Sequence, residues 1–206
     1  YWEYTKHSDP RVLALACKMG DYLVRETFTP AKGAYPRFTR STGYCIDFPL
    51  SKASQGDLRY GVNVIEPDKG GIAGYALLRL YEATGERRYL KQALRNAKAL
   101  VKNMHPGDAA HAPWPYRVDA VRGEAWGDRN ANMIYILRLF DALLAEGRHE
   151  FQGPRDALWH WIKTYQVPTP EDPEHCLWVN FFEDYDLPNN RVSWAPLETA
   201  RYLIER

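Results

Sequence analysis

The chain has 206 residues, of which 27 are basic and 26 acidic, so its net charge is +1. This length suits one domain with its own core, and interspersed charge without a basic run predicts no nucleic-acid partner. Three widely spaced cysteines and the lack of Cys-x-x-Cys or His-Glu-x-x-His spacing predict neither a disulfide framework nor a metal site. No apolar run is long enough to cross a bilayer, so we expect no membrane partner. We also expect no cofactor.

Helical periodicity predicts six helices along the chain. The first spans residues 9–27, with Asp9 as its N-cap and Pro10 at the first helical position. The second spans residues 70–84, and the third follows the tight turn at Gly85 and ends near residue 104. The other three predicted helices span residues 129–146, 154–166 and 193–206.

The predicted helices are of two kinds. The third is amphipathic, with one apolar stripe and a polar face that carries Lys91, Arg95, Asn96 and Lys98. The second and fourth are apolar on nearly every side, which is typical of helices surrounded by protein. We therefore expect inner and outer helices to alternate along the chain.

The connections also alternate, between short turns and long loops. Long connections span residues 28–69, 105–128 and 167–192. In alternating antiparallel helices every second connection lies at the same end, so all three long loops should share one face. Long loops on a rigid scaffold commonly carry function. Residues 33–44 are predicted to form a small β-hairpin over this face.

A sequence pattern recurs at intervals of about sixty residues. Residues 77–83 have a counterpart in 136–142 and a fainter one in 199–205. Such self-similarity indicates repeated helical hairpins that bury their apolar faces by packing on one another. The glycines in Gly70-Gly71-x-x-Gly74 are predicted to allow close helix packing, since no strand or Lys-Ser/Thr pair makes them a phosphate loop.

The run Leu78-x-Leu80-Tyr81-x-x-Thr84-Gly85-x-x-x-Tyr89-Leu90 resembles an inner helix, its turn and the next outer helix of the (α/α)6 toroid, in particular of the six-hairpin glycosidase-like superfamily. The resemblance implies an all-α fold of antiparallel helical hairpins with long loops on one face. It is incomplete, with about three of six hairpins, so residues 1–206 are expected to be one toroid domain or a fragment of one. The rest of the toroid or a second copy is then expected on two apolar flanks. The compartment stays open, because a start at Tyr1 gives no basis for judging a signal peptide.

The same resemblance implies a carbohydrate-active enzyme. Our leading expectation is a glycoside hydrolase that cleaves an oligosaccharide or a uronate-containing glycan with two carboxyl groups. A polysaccharide lyase, with Tyr116 or a histidine as base, and a sugar epimerase remain alternatives. An alternative of another class is a non-catalytic helical-repeat scaffold that binds a protein partner through the long-loop face.

The candidate catalytic residues are acids near the long-loop face. One lies just before the second helix, and three follow the third helix in a stretch of mixed acids, arginines and aromatics. Two more come from a crowded acidic segment in the last loop, where mutual repulsion can raise a pKa. Each has a structural alternative as a helix cap, a partner of arginine or a solvated turn residue. These acids are Asp68, Asp119, Glu124, Asp128, Glu183 and Asp184.

The candidate substrate-binding residues combine flat rings with groups that bind hydroxyls or carboxylates. Rings suit the C–H faces of sugars, and the arginines suit an anionic sugar through bidentate pairing. These residues are Trp114, Tyr116, Arg117, Arg122, Trp126, His175, Trp178 and Trp194.

Overall fold

The computed structural model describes residues 9–40, 63–125, 133–166 and 194–205. These residues are mostly helical, as the sequence predicted. The helices are α1 (Pro10–Arg25), α2 (Pro67–Thr84), α3 (Arg87–Lys102), α4 (Met133–Ala145), α5 (Gln152–Trp161) and α6 (Trp194–Ile204). A 3-10 turn, His149–Phe151, precedes α5, and a π-helical turn, Ile162–Gln166, follows it. Two short strands, β1 (Val64–Ile65) and β2 (Val118–Asp119), pair antiparallel.

Local chemistry explains where the first two helices begin and end. The Asp9 carboxylate accepts a hydrogen bond from the Arg11 N–H at 2.8 Å and caps α1, as predicted. Helix α2 ends at Gly85, whose φ of 72° is the left-handed conformation that glycine adopts most easily. It begins at Pro67, three residues earlier than predicted, because a proline fits the first helical position. Asp68 therefore lies inside the first turn of α2, not before it.

The helices pack around a central pair. Helix α2 packs on α3 and α4, and α4 also packs on α5 and α6, while α1 packs on α2 and α3. Helices α2 and α4 thus form an inner pair, which α1, α3, α5 and α6 flank. Residues 133–137 at the start of α4 are all buried, as expected for an enclosed helix. Helix α2 is less enclosed than predicted, since Ile72 and Ala76 remain exposed on one side.

Glycines bring the two inner helices α2 and α4 together. A Cβ atom at Gly71 would lie 3.0 Å from Ile136 Cγ1 and 3.1 Å from the Ile136 backbone nitrogen. A Cβ atom at Gly74 would lie 2.8 Å from Leu139 Cδ2. The prediction that these glycines serve close helix packing is confirmed.

The polar face of α3 differs from the prediction at Asn96. It is fully buried, so the prediction that it faces solvent is wrong. Its Nδ2 donates to the Gly70 carbonyl and to Thr39 Oγ1, both at 3.0 Å. Its Oδ1 accepts from Gln92 Nε2 at 2.9 Å and from the Thr39 N–H at 3.2 Å. One side chain thereby ties α3 to α2 and to the loop that follows α1.

A polar cluster joins the second inner helix to its two neighbours. Asp141 on α4 accepts from Arg155 Nε on α5 at 2.8 Å and from the Tyr202 hydroxyl on α6 at 2.6 Å. Arg155 also donates to the Tyr202 hydroxyl at 3.2 Å. These bonds fix how α5 and α6 sit on α4.

Parts of the first two long loops meet at the N-terminal end of α2. The Ala34 and Tyr35 N–H groups donate to the Val121 and Ala120 carbonyls at 3.0 and 2.8 Å, and β1 pairs with β2 beside them. Residues 33–40 do not pair among themselves as the predicted hairpin required. Thr39 pairs instead with Phe28, and residues 41–44 lie outside the described residues. No helix within the described ranges has the length and apolar character of a membrane span.

Candidate functional site

The loop end of α2 gathers a group of charged and polar side chains that we call the loop-face cluster: Glu66, Asp68, Lys69, Tyr116 and Arg117. The register of the two strands pairs Ile65 with Val118, which places the residue after β1 beside the residue before β2. Glu66 Oε1 consequently accepts a hydrogen bond from Arg117 Nε at 3.3 Å. The Arg117 guanidinium carbon lies 4.8 Å from the centre of the Tyr116 ring, so the ring and the carboxylate both hold the cation.

Glu66 does not serve as a cap for α2, although it stands at the N-cap position. Its side chain makes no capping hydrogen bond to the helix. The carboxyl is buried, and burial raises the pKa of Glu66 above its usual value. A hydrogen bond with Tyr116 and the positive charges of Arg117 and Lys69 oppose that rise without cancelling it. The loop face therefore holds a carboxyl that stays protonated to a higher pH than an exposed glutamate.

Asp68 supplies a second buried carboxyl, in the first turn of α2. It is 1% exposed, and its Oδ1 accepts from the Lys69 N–H at 2.7 Å. The N-terminal end of a helix stabilises negative charge because its unpaired N–H groups point outward. Asp68 is a predicted catalytic acid, and it lies two residues after Glu66 at the N-terminal end of α2.

Asp119 and Arg122 form a closed turn beside the cluster. Asp119 Oδ1 accepts from the Val121 and Arg122 N–H groups at 2.8 and 2.9 Å, and Oδ2 accepts from the Arg122 guanidinium at 3.2 Å. Burial acts to raise the pKa of Asp119, but these hydrogen bonds and the Arg122 charge together hold it below its usual value. The carboxylate is thus an ionised acceptor that shapes the turn.

Glu124 lies on the solvent side of the same turn. Its carboxylate is 3.3 Å from Arg122 Nε, and both side chains are more than half exposed. The backbone closes beneath them, since the Asp119 N–H donates to the Glu124 carbonyl at 2.9 Å. These contacts match the structural alternative for this stretch, in which acids and arginines satisfy each other.

The candidate aromatic residues divide between the core and the cluster. Trp114 is fully buried, donates from Nε1 to the Leu100 carbonyl at 3.0 Å and packs near Phe140. Tyr116 is buried beneath Arg117. Trp194 begins α6, and its side chain is outside the described part. The other candidates lie outside the described residues: Trp126, Asp128, His175, Trp178, Glu183 and Asp184.

Glu66 is the site residue that the sequence analysis did not select. Its position in the sequence could have indicated it, because Glu66 is an acid between the apolar pair Val64-Ile65 and Pro67 at the end of a long loop. The proline marks the helix start, so the acid before it faces the loop end. Burial and the partner Arg117, which is distant in sequence, become visible only in the structure.

Metal binding and similarity to known proteins add no further residue to this site. Among the described residues, no group of three or more His, Cys, Asp or Glu side chains is arranged to hold a metal ion. Comparison with family models, curated proteins and solved structures found no match.

Proposed function

We propose that this chain is a carbohydrate-active enzyme domain, a glycoside hydrolase that acts on an oligosaccharide or a uronate-containing glycan at the loop end of its inner helices. The observation that carries the proposal is Glu66, a buried carboxyl of raised pKa that lies two positions along the chain from a second buried carboxyl, Asp68. The helical hairpins, the meeting of parts of the first two long loops at the N-terminal end of α2, and the resemblance to six-hairpin glycosidases support the same class of enzyme.

The two carboxyls have environments that suit different roles. Glycoside hydrolysis needs one acid that donates a proton to the leaving oxygen and a carboxylate that activates water or attacks the sugar. Burial keeps Glu66 protonated to higher pH, which suits the general acid. Asp68 lies at the positive end of the α2 dipole, which suits the group that must stay ionised.

The cations of the cluster indicate the kind of sugar. Arg117 and Lys69 place two positive charges next to Glu66, and a planar guanidinium recognises carboxylates well. A uronate-containing glycan would bring its own carboxylate to these groups. We therefore favour an acidic glycan over a neutral oligosaccharide as the first substrate to test.

The test is reducing-end release from a panel of neutral and uronate-containing glycans by the full chain. With an active glycan identified, Glu66→Gln and Asp68→Asn should each lower kcat by about 100-fold or more, while the midpoint of thermal unfolding stays close to that of the parent. Glu124→Gln, which changes an exposed acid of the neighbouring turn, is the matched control and should retain activity.

A scaffold without catalysis is the second candidate, and the closed turn of Asp119, Arg122 and Glu124 favours it, because these residues satisfy one another. Absence of release from every glycan would contradict the hydrolase. Release of an unsaturated, ultraviolet-absorbing uronate would point to the lyase instead. If Glu66→Gln lowers only the stability while turnover is unchanged, Glu66 is a structural ion-pair partner of Arg117.

A further inference from the structure

A basic groove lies on the outer side of α3, at the end of the hairpins away from the loop-face cluster. It runs between α3 and the turn that follows α4, and has a volume of about 440 Å³. Two leucines of α3 and five cationic side chains line it: Leu90, Leu94, Arg87, Lys91, Arg95, Lys98 and Arg148.

The cations of this groove have no acidic partner within the described residues. Elsewhere in the protein arginines are paired, as Arg88 is with Asp21 at 2.9 Å and Arg155, between α5 and α4, is with Asp141 at 2.8 Å. In the groove Arg95 contacts only the neutral Gln92, at 3.4 Å. Since none of these five cations is paired with a carboxylate of the described residues, the groove is suited to an anionic partner.

Arg148 adds a cation to the groove from the turn that follows α4. Its Nε is buried yet has no hydrogen-bond partner among the described residues. A buried donor without a partner costs free energy, so such groups are nearly always satisfied in folded proteins. An acidic side chain entering the groove would supply an acceptor close to this guanidinium.

The spacing of the cations indicates the shape of the partner. Arg87, Lys91 and Arg95 follow one another at intervals of four residues, which is about 6 Å per step along a helix axis. Acidic residues four apart on a second helix, packed alongside α3, repeat at the same interval. The groove can therefore pair a row of carboxylates in register.

The leucine floor separates this partner from other polyanions. Leu90 is buried and Leu94 half-buried between the cationic side chains, so the groove has an apolar base. The apolar side chains of an amphipathic helix would cover these leucines, as in other helix-in-groove complexes. A hydrated polyuronate or a nucleic acid would leave the exposed part of Leu94 in contact with water.

We propose that this groove binds an acidic amphipathic helix of a partner protein. Carboxylates of that helix pair with the cations of α3 and with Arg148, and its apolar residues cover the two leucines. The site is separate from the loop-face cluster and does not depend on the proposed hydrolase activity.

The probe is a fluorescein-labelled helical peptide with glutamates four residues apart and leucines on the adjoining face, titrated with the full chain and followed by anisotropy. Lys91→Glu/Arg95→Glu should raise its Kd by about tenfold or more, and added salt should weaken binding. The matched control Lys18→Glu/Lys32→Glu makes the same change in net charge on exposed lysines outside the groove, and should leave Kd within about twofold.

Several outcomes would overturn the proposal. Equal weakening by the groove and control variants would mean non-specific charge attraction. Unchanged binding of a peptide whose leucines are replaced by serine would remove the role of the floor. Binding of polygalacturonate or of phosphatidylserine vesicles at these cations, without peptide binding, would assign the groove to a glycan or a membrane. Should the glutamate variant unfold, Lys91→Gln/Arg95→Gln tests the same charges without introducing repulsion.

Discussion

Replacing Asn96 is the sharpest test of how this fold is held together. The side chain is fully buried and bonds with the Gly70 carbonyl, Thr39 and Gln92, which belong to three different segments. Asn96→Ala would leave several of these buried groups without a partner. At about 1–3 kcal/mol for each group, we expect a loss of about 3 kcal/mol or more in the free energy of unfolding.

The assay is urea unfolding followed by circular dichroism, together with thermal unfolding. For a chain of this length, the expected loss corresponds to a decrease in Tm of about 10 °C. The control is Lys98→Ala, an exposed position on the same helix, which should change the free energy by no more than about 0.5 kcal/mol. A loss for Asn96→Ala of less than about 1 kcal/mol would refute the view that this network joins the segments.

An aspartate at the same position separates hydrogen bonding from shape. Asn96→Asp keeps the volume but removes two donors and places a carboxyl in a fully buried site. Burial should favour the protonated form of the new carboxyl, so the folded state binds a proton that the unfolded state releases. The variant should therefore be least destabilised at acidic pH and lose stability as the pH rises. A destabilisation independent of pH would contradict burial of the new carboxyl.

Three further predictions follow from other contacts. Gly71→Ala should lower the free energy of unfolding by about 1–3 kcal/mol, measured by thermal unfolding, because the new methyl group meets the backbone of α4. The control Gly153→Ala, which has open space around it in α5, should leave that free energy unchanged or raise it. Equal effects of the two variants would contradict the close packing of α2 on α4. Burial raises the pKa of Glu66 above 4.5, so its contribution to stability is fully present below that value and falls as the pH rises through the raised pKa. The stability of Glu66→Gln relative to the parent should accordingly increase with pH in urea titrations, and a constant difference would be inconsistent with this. Tyr202→Phe removes the hydroxyl that links α6 to α4 and α5 and should cost about 1–2 kcal/mol in urea unfolding, more than Tyr165→Phe, whose ring contacts Trp161.

The helices and their order could be predicted from the sequence because both depend on local patterns. Apolar periodicity located all six helices, and Asp9 and Gly85 marked two of their ends through capping chemistry. The glycines at 70–74 indicated close packing because only a residue without a side chain admits a neighbouring helix so near. The predicted start of α2 is three residues too late, because Pro67 occupies its first helical position.

The site was less predictable than the scaffold, because side-chain partners come from distant parts of the chain. Asn96 has the spacing of a solvent-facing residue, yet the loop after α1 folds over it and supplies Thr39 as its partner. The residues next to Asp119 in the sequence do not distinguish a catalytic carboxylate from one that closes a turn with Arg122. The sequence by itself determined the helices and the short turns that join them, since hydrophobic periodicity and connection lengths are local properties. Only the tertiary structure decided that Glu66 is buried and that Arg117, 51 positions away, lies beside it, because both follow from the pairing of β1 with β2. That burial raises the pKa of Glu66, on which the proposed chemistry depends, and the charge of Arg117 opposes the rise.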